Sequence, residues 1–148
     1  MKKLNELDLK ILRRLTTNAR VPLRDVAEGE NSSRSSVNQR LTRMIENGVL
    51  TSLKYHVNPK KIGYNTCTYV GVRLERGSLY KEVAERMREI PEIVECHFTT
   101  GPYTMLIKLY AIDNNDLMRI LNGIIQSIQG VVDTEKLISM DVRFESRI

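Results

Sequence analysis

The residues best placed for chemistry with a partner lie between Ser33 and Asn47 of this 148-residue chain. On a helical wheel stepped by about 100° per residue, Val37, Leu41, Met44 and Ile45 form one apolar stripe. Ser35, Ser36, Gln39, Thr42 and Arg43 fall on the side away from it, with Arg34 in the first turn and Arg40 at the margin. A helix of this kind is anchored by its stripe and offers donors and acceptors outward. That offer suits base edges in the major groove of double-stranded DNA. Gln39 matches adenine, Ser35 and Ser36 match several bases, and Arg43 reaches a guanine or a phosphate. Arg34, Arg40 and Lys54 are placed as phosphate contacts, which fix register without reading sequence. The competing reading is a merely solvated surface helix. Such faces are usually richer in Glu and Lys, and this one carries a single acid, Glu46, in its last turn.

The charge distribution favours the first reading. Residues 1–60 hold 12 Lys and Arg against 6 Asp and Glu, whereas residues 61–148 hold 11 against 12. The whole positive excess therefore sits in the N-terminal part, as expected for a polyanion-binding module joined to a domain of another kind. Hydrophobic residues make up 41% and charged residues 28%, a globular balance. No apolar run approaches the roughly 18 residues that span a bilayer, and the opening Met1–Asp8 has no apolar secretion segment. A cytoplasmic, nucleoid-associated protein is expected, with no membrane partner.

Catalytic and metal-binding constellations are missing from the pattern. Cys67 and Cys96 are far apart, and neighbouring Cys96 and His97 would point to opposite faces of a strand. His56 and His97 read as packing or hydrogen-bonding residues. No Gly-rich phosphate loop or activated nucleophile is evident. Neither an enzyme nor a cofactor is expected.

The elements that would position the reading helix are legible around it. Leu4, Leu7, Ile11, Leu12 and Leu15 mark a first helix capped by Asn5. A second starts near Pro22 and carries Leu23, Val26 and Ala27. Gly29-Glu30-Asn31-Ser32 breaks the pattern, Ser32 or Ser33 caps the third helix, and Gly48 ends it. Leu53, Tyr55 and Val57 then alternate as in a strand. The spacing predicts a helix-turn-helix over residues 1–50, a hinge strand and linker over 51–63, and a second domain over 64–148.

The second domain reads as βαββαβ: strand 66–74, helix 78–89, strands 93–100 and 105–111 about a Gly101-Pro102 hairpin, helix 115–127 and strand 134–140. Ile90-Pro91-Glu92-Ile93-Val94-Glu95 and Ile128-Gln129-Gly130-Val131-Val132-Asp133 share one apolar–turn–apolar–apolar–acid pattern. Two such halves imply a ferredoxin-like split βαβ fold. The fold class is thus α+β, a winged helix-turn-helix followed by a ferredoxin-like domain. Helices on one side leave the other sheet face bare, which predicts a homodimer.

Taken together these segments resemble the Lrp/AsnC, or feast/famine, regulators over nearly the whole chain. Leu7-Asp8, Ile11-Leu12, the Val37–Met44 positions and Asn47-Gly48-Val49-Leu50 are similar to the family's DNA-binding module. Asn58-Pro59-Lys60-Lys61-Ile62-Gly63-Tyr64 is similar to its linker. The most specific matches are Ile90–His97 and Thr99-Thr100-Gly101-Pro102-Tyr103. The resemblance implies a transcriptional regulator that responds to a small-molecule effector, an amino acid in many members. It implies a homodimer formed through the sheet, often with exchanged hinge strands, and further assembly to an octamer. It places the effector between dimers, near Thr100, Gly101, Pro102, Tyr103 and Thr104 and the strand start at Thr134, with Lys136 close by.

Three departures stand out. The turn before the third helix usually reads apolar–Gly–apolar and ends in Ser, and here it is Glu30-Asn31-Ser32-Ser33. An acid commonly follows the loop aromatic, and here that position is Thr104. A second Thr near the pocket is Lys136, which would favour an anionic ligand, while the N–H groups around Gly101 would still suit a carboxylate. Two alternatives belong to the same fold: a sirohaem-decarboxylase-like enzyme, and an architectural DNA-binding protein without effector.

Overall fold

Asn5 opens the first helix, α1 (Glu6–Thr17), with a reciprocal cap: its side chain accepts the Asp8 N–H and the Asp8 carboxylate accepts the Asn5 N–H, both at 3.0 Å. α2 (Leu23–Gly29) and α3 (Arg34–Glu46) follow. The computed structural model describes residues 3–146. These divide near His56 and Val57 into two units.

In the N-terminal unit Ile11, Val26, Ala27, Val37 and Met44 are buried together, with Leu7, Leu12, Leu15 and Val49 packed around them. Val37 and Met44 are thus the true centre of the α3 stripe. Ile45 is 55% exposed, because it lies about 80° round the wheel from Val37. Ser33, not Ser32, caps α3, accepting the Ser36 N–H at 3.1 Å. Gly48 takes the left-handed conformation (φ 71°) that closes the helix.

Arg40 does not stand free at the margin of α3 as expected of a phosphate contact. Its Nη1 donates to Asn5 Oδ1 at 3.0 Å and to Asp8 Oδ1 at 3.1 Å. The side chain therefore bolts α3 to the cap of α1. At about −60° from Val37 it lies too near the buried side to avoid α1.

Residues 51–57 form no strand within the chain. Leu53, Tyr55 and Val57 are all highly exposed. Alternation alone makes no strand; a ladder partner is needed, and none is present for this segment among the described residues. Instead Arg20, in the α1–α2 loop, sits over the Tyr55 ring at 4.8 Å.

The second unit runs β1 (Thr66–Leu74), α4 (Tyr80–Arg88), β2 (Ile93–Phe98), β3 (Met105–Ala111), α5 (Asn114–Met118) and β4 (Val131–Ser139). The strands form one antiparallel sheet in the order β2-β3-β1-β4, the ferredoxin-like arrangement. Val70, Val72, Ile107 and Leu109 of the central strands are buried against Val83, Met87, Leu117, Ile120 and Ile125. The predicted helix over 115–127 is only partly α-helical. α5 gives way to a π-helical stretch at Arg119–Ile124 and a short 3-10 turn at Ile125–Ser127. Asn122 and Gly123 support an α-helix poorly, and the irregular winding keeps Ile120, Leu121 and Ile125 buried together. No helix among the described residues is long and apolar enough to cross a membrane.

On the sheet face turned away from the helices, Lys108 is held between the rings of Tyr69 (5.8 Å) and Tyr110 (5.6 Å) and pairs with Glu145 at 3.3 Å. The same face carries Tyr69 and Leu137, both exposed.

The Asp8–Arg40 bolt makes a stability prediction. Burial by itself would push the Asp8 carboxyl up, but the Asn5 N–H and the Arg40 guanidinium outweigh it and hold it below its ordinary value. A carboxyl with a lower pKa folded than unfolded stabilises the fold above the unfolded value, about 3.9, and loses that contribution as pH falls through the folded value. Asp8→Asn should therefore flatten the part of the stability profile below about pH 4, read as thermal midpoint against pH. A profile identical to wild type would contradict the bolt. Arg40→Ala should cost about 1–3 kcal/mol in urea unfolding, since a half-buried carboxylate is left without its partner.

Candidate functional site

Seen from outside, α3 presents Arg34, Ser35, Gln39, Thr42 and Arg43 as exposed side chains, with Ser36 half-buried. Among the described residues, Arg34, Arg43 and Lys54 enter no salt bridge, whereas Arg14, Arg24 and Arg40 do. Unpaired cations thus stand on the outer face of α3 and on the segment that follows it, as Arg13 and Arg20 do elsewhere in the unit. Thr42 spends its hydroxyl on the Asn38 carbonyl at 2.9 Å. Ser35 Oγ lies 3.3 Å from Ser33 Oγ, which leaves it open to a further partner. The face is a helix-width strip of donors and acceptors, with Gln39 at its middle and a free arginine near each end. It has the dimensions and chemistry of a major-groove reader.

The loop between β2 and β3 forms the second candidate site. Gly101 has φ 100°, which only glycine adopts without strain. Thr104 is built into the strand ends: its N–H donates to the Val72 carbonyl at 3.0 Å and its hydroxyl accepts the Leu74 N–H at 3.2 Å. The Thr99 hydroxyl donates to the Tyr103 carbonyl at 3.2 Å. Together these bonds hold Thr100, Gly101 and Pro102 out as an exposed tip.

Tyr103 lies flat on the sheet face away from the helices. A Cβ added to Gly71 would fall 2.5 Å from Tyr103 Cδ1, so the ring needs the glycine beneath it. The phenol donates to Glu135 Oε2 at 2.6 Å, and Arg73 sits over the ring at 5.1 Å. Arg73 also pairs with Asp133 at 2.9 Å. The hydrogen bond to Glu135, with some burial, pushes the Tyr103 phenol up.

Thr134 and Lys136 do not join this loop within one chain. They pair with Val72 and Val70, whose side chains face the helices, so they lie on the opposite face of the sheet from Tyr103. Thr134 accepts from Gln126 Nε2 at 3.3 Å, and Lys136 Nζ lies 3.3 Å from Met118 Sδ. The period of two along a strand separates odd-numbered Glu135 from even-numbered Thr134 and Lys136. Lys136 is thus turned away from the loop of its own chain. The residues that do meet Tyr103 are Gly71, Arg73 and Glu135, with Asp133 behind Arg73, none of which sequence reasoning selected. One signal was available: a glycine inside a strand marks a close approach.

Comparison with known proteins agrees with both units. The Lrp/AsnC ligand binding domain matches residues 67–148, and a winged helix-turn-helix DNA-binding domain matches residues 4–51. The chain is 33% identical over 143 residues to the HTH-type transcriptional regulator FL11 of Pyrococcus furiosus, covering 97% of this chain and 93% of that one. The structure of E. coli AsnC superposes with a TM-score of 0.95 at 27% identity, over 99% of this chain and 98% of that one. A transcriptional regulator from Neisseria meningitidis, solved as a complex with L-Met, has the same fold, with a TM-score of 0.91 at 21% identity over 97% and 94% of the two chains. A polar-faced helix on a basic unit, a ferredoxin-like sheet and these end-to-end matches lead to one conclusion: the chain belongs to the Lrp/AsnC family of transcriptional regulators.

Proposed function

We propose that the protein is a sequence-specific regulator that reads double-stranded DNA with the outer face of α3 and responds to a small-molecule effector of the amino-acid class. It acts by binding and not by catalysis, in the cytoplasm on the nucleoid. The observation that carries this reading is the free, exposed set of Arg34, Ser35, Gln39 and Arg43 on a helix whose other side is buried through Val37 and Met44. Gln39 and Arg43 read base edges, while Arg34 and Lys54 hold phosphates. Arg40 supports the face from behind through Asp8.

The sheet face away from the helices is the surface on which we expect a homodimer to close, with further association to an octamer. Its exposed Tyr69 and Leu137 and the unpaired 51–57 segment would each gain a partner there. The effector reading rests on the loop Thr100–Thr104. The family's usual acid after the aromatic is Thr104 here, but a carboxylate still stands beside the ring: Glu135, bonded to Tyr103. That group suits an amino group, and the N–H groups around Gly101 suit a carboxylate. The L-Met complex of the Neisseria regulator makes methionine a sensible first ligand to try.

Two experiments test this. Binding of the full chain to a duplex selected from a random pool should weaken steeply as salt rises, through counterion release. Gln39→Ala should cost about 1–3 kcal/mol at one base pair and relax preference there. Arg43→Ala should weaken binding or blur specificity. Unchanged binding by both variants would remove α3 as the reader. For the effector, an amino acid that binds only the folded state raises the melting temperature, by about 2.7 kcal/mol of stability at a hundredfold excess over its Kd. Glu135→Gln should abolish that shift. No shift with any of the amino acids would refute the effector class.

A further inference from the structure

Two helix ends in the N-terminal unit close with the same hydrogen-bond pattern but different side-chain support. At the end of α3, the Val49 N–H donates to the Met44 carbonyl at 2.8 Å and the Gly48 N–H to the Ile45 carbonyl at 3.1 Å. At the end of α2, the Ser32 N–H donates to the Ala27 carbonyl at 2.9 Å and the Asn31 N–H to the Glu28 carbonyl at 3.3 Å. This double closure is normally reinforced by an apolar contact from the residue after the left-handed one. α3 has that reinforcement, because Val49 packs against the buried cluster to which Met44 belongs. α2 lacks it, because the matching residue is Ser32. Its left-handed position is also a non-glycine, Asn31 at φ 51°, which is less comfortable there.

What holds the α2 end is an ion pair reaching across from α1. Arg14 Nε donates to Glu30 Oε1 at 2.7 Å, and the Glu30 side chain is only 15% exposed. The guanidinium lies directly over Gly29: a Cβ there would fall 2.5 Å from Arg14 Cζ and 2.8 Å from Nη1. Gly29 has no left-handed φ to require glycine, so a side chain there would meet the Arg14 guanidinium and would have to displace it. Arg14, Gly29 and Glu30 form one clasp, and the next residues, Asn31 to Ser33, lead directly into the cap of α3.

We propose that Arg14 is a positioning residue for the DNA-reading helix, acting through Glu30 with its guanidinium laid over Gly29, in place of the apolar contacts usual at this turn. The proposal rests on α3 as the reader. An arginine in a basic unit would ordinarily be taken for a phosphate contact; this one is engaged with a mostly buried carboxylate. The turn it fixes sets the angle at which Gln39 and Arg43 face the groove. Its loss therefore lowers affinity without removing any contact to DNA.

Gly29→Ala is the main test, because it keeps every charge and adds a better helix former at the end of α2. Affinity of the full chain for a duplex selected by wild type should fall on the order of tenfold, as for loss of one charge-assisted contact. The thermal midpoint should stay close to wild type, and the backbone amides of Asn31–Val37 should shift in the free protein. Arg14→Gln should weaken binding similarly with the salt dependence unchanged. A Gly29→Ala variant that binds like wild type with unmoved amides would overturn the proposal. So would an Arg14→Gln variant whose salt slope drops by about one, the signature of a lost phosphate contact. If wild type selected no duplex at all, the DNA reading itself would fail, while the amide shifts would still decide whether the clasp orients the turn.

Discussion

The structure of the N-terminal unit depends on how one side of α3 is held. A reading helix must be rigid without spending its outer groups on rigidity. Here Val37 and Met44 are buried against α1 and α2, and Arg40 ties the flank of α3 to the cap of α1. The capping carboxylate of α1 does two tasks, since Asp8 both closes its own helix and receives Arg40. With these contacts drawn from one side, Arg34, Gln39 and Arg43 remain available on the other. On α3 itself, a bonded Arg40 behind and unpaired Arg34 and Arg43 in front give the helix one directed basic face.

The second unit follows a similar economy of faces. Helices cover one side of the sheet, and the strands alternate accordingly, with β3 buried at every second residue. The uncovered side is not simply polar. Tyr103 folds back over Gly71 and is fastened by Glu135, and Lys108 is enclosed by two tyrosines and Glu145. Cations set on aromatic faces recur there, an arrangement that tolerates partial burial because ring and carboxylate together replace lost water. A loop pinned to this face is physically continuous with it. An event at the loop tip therefore has a short route to the surface where copies of the chain are expected to meet.

Much of this was legible in the residues themselves. β1 and β3 begin and end where their alternation said, and the three N-terminal helices lie where caps and apolar spacing put them. α1 and α3 carry the side-chain caps, Asn5 and Ser33, that local hydrogen bonding favours. Local signals fail where the competition is not local. The stretch 115–127 has helical spacing, yet it winds irregularly to bury Ile120, Leu121 and Ile125 in a sheet already shaped by other strands. The stretch 51–57 has strand spacing without a strand to pair with among the described residues.

The amino-acid sequence determined the elements, the sidedness of α3 and the concentration of positive charge before residue 60, because each depends on periodicity or composition over a few turns of chain. Tertiary structure decided which charges are free. Arg40 and Arg14 resemble Arg34 and Arg43 in sequence, and only the approach of Asp8 and Glu30 from distant positions commits them inward. It also decided that Thr134 and Lys136 face away from Tyr103 while Glu135 meets it. Partnership between side chains is set by how elements pack, and spacing along the chain carries no record of which neighbour arrives.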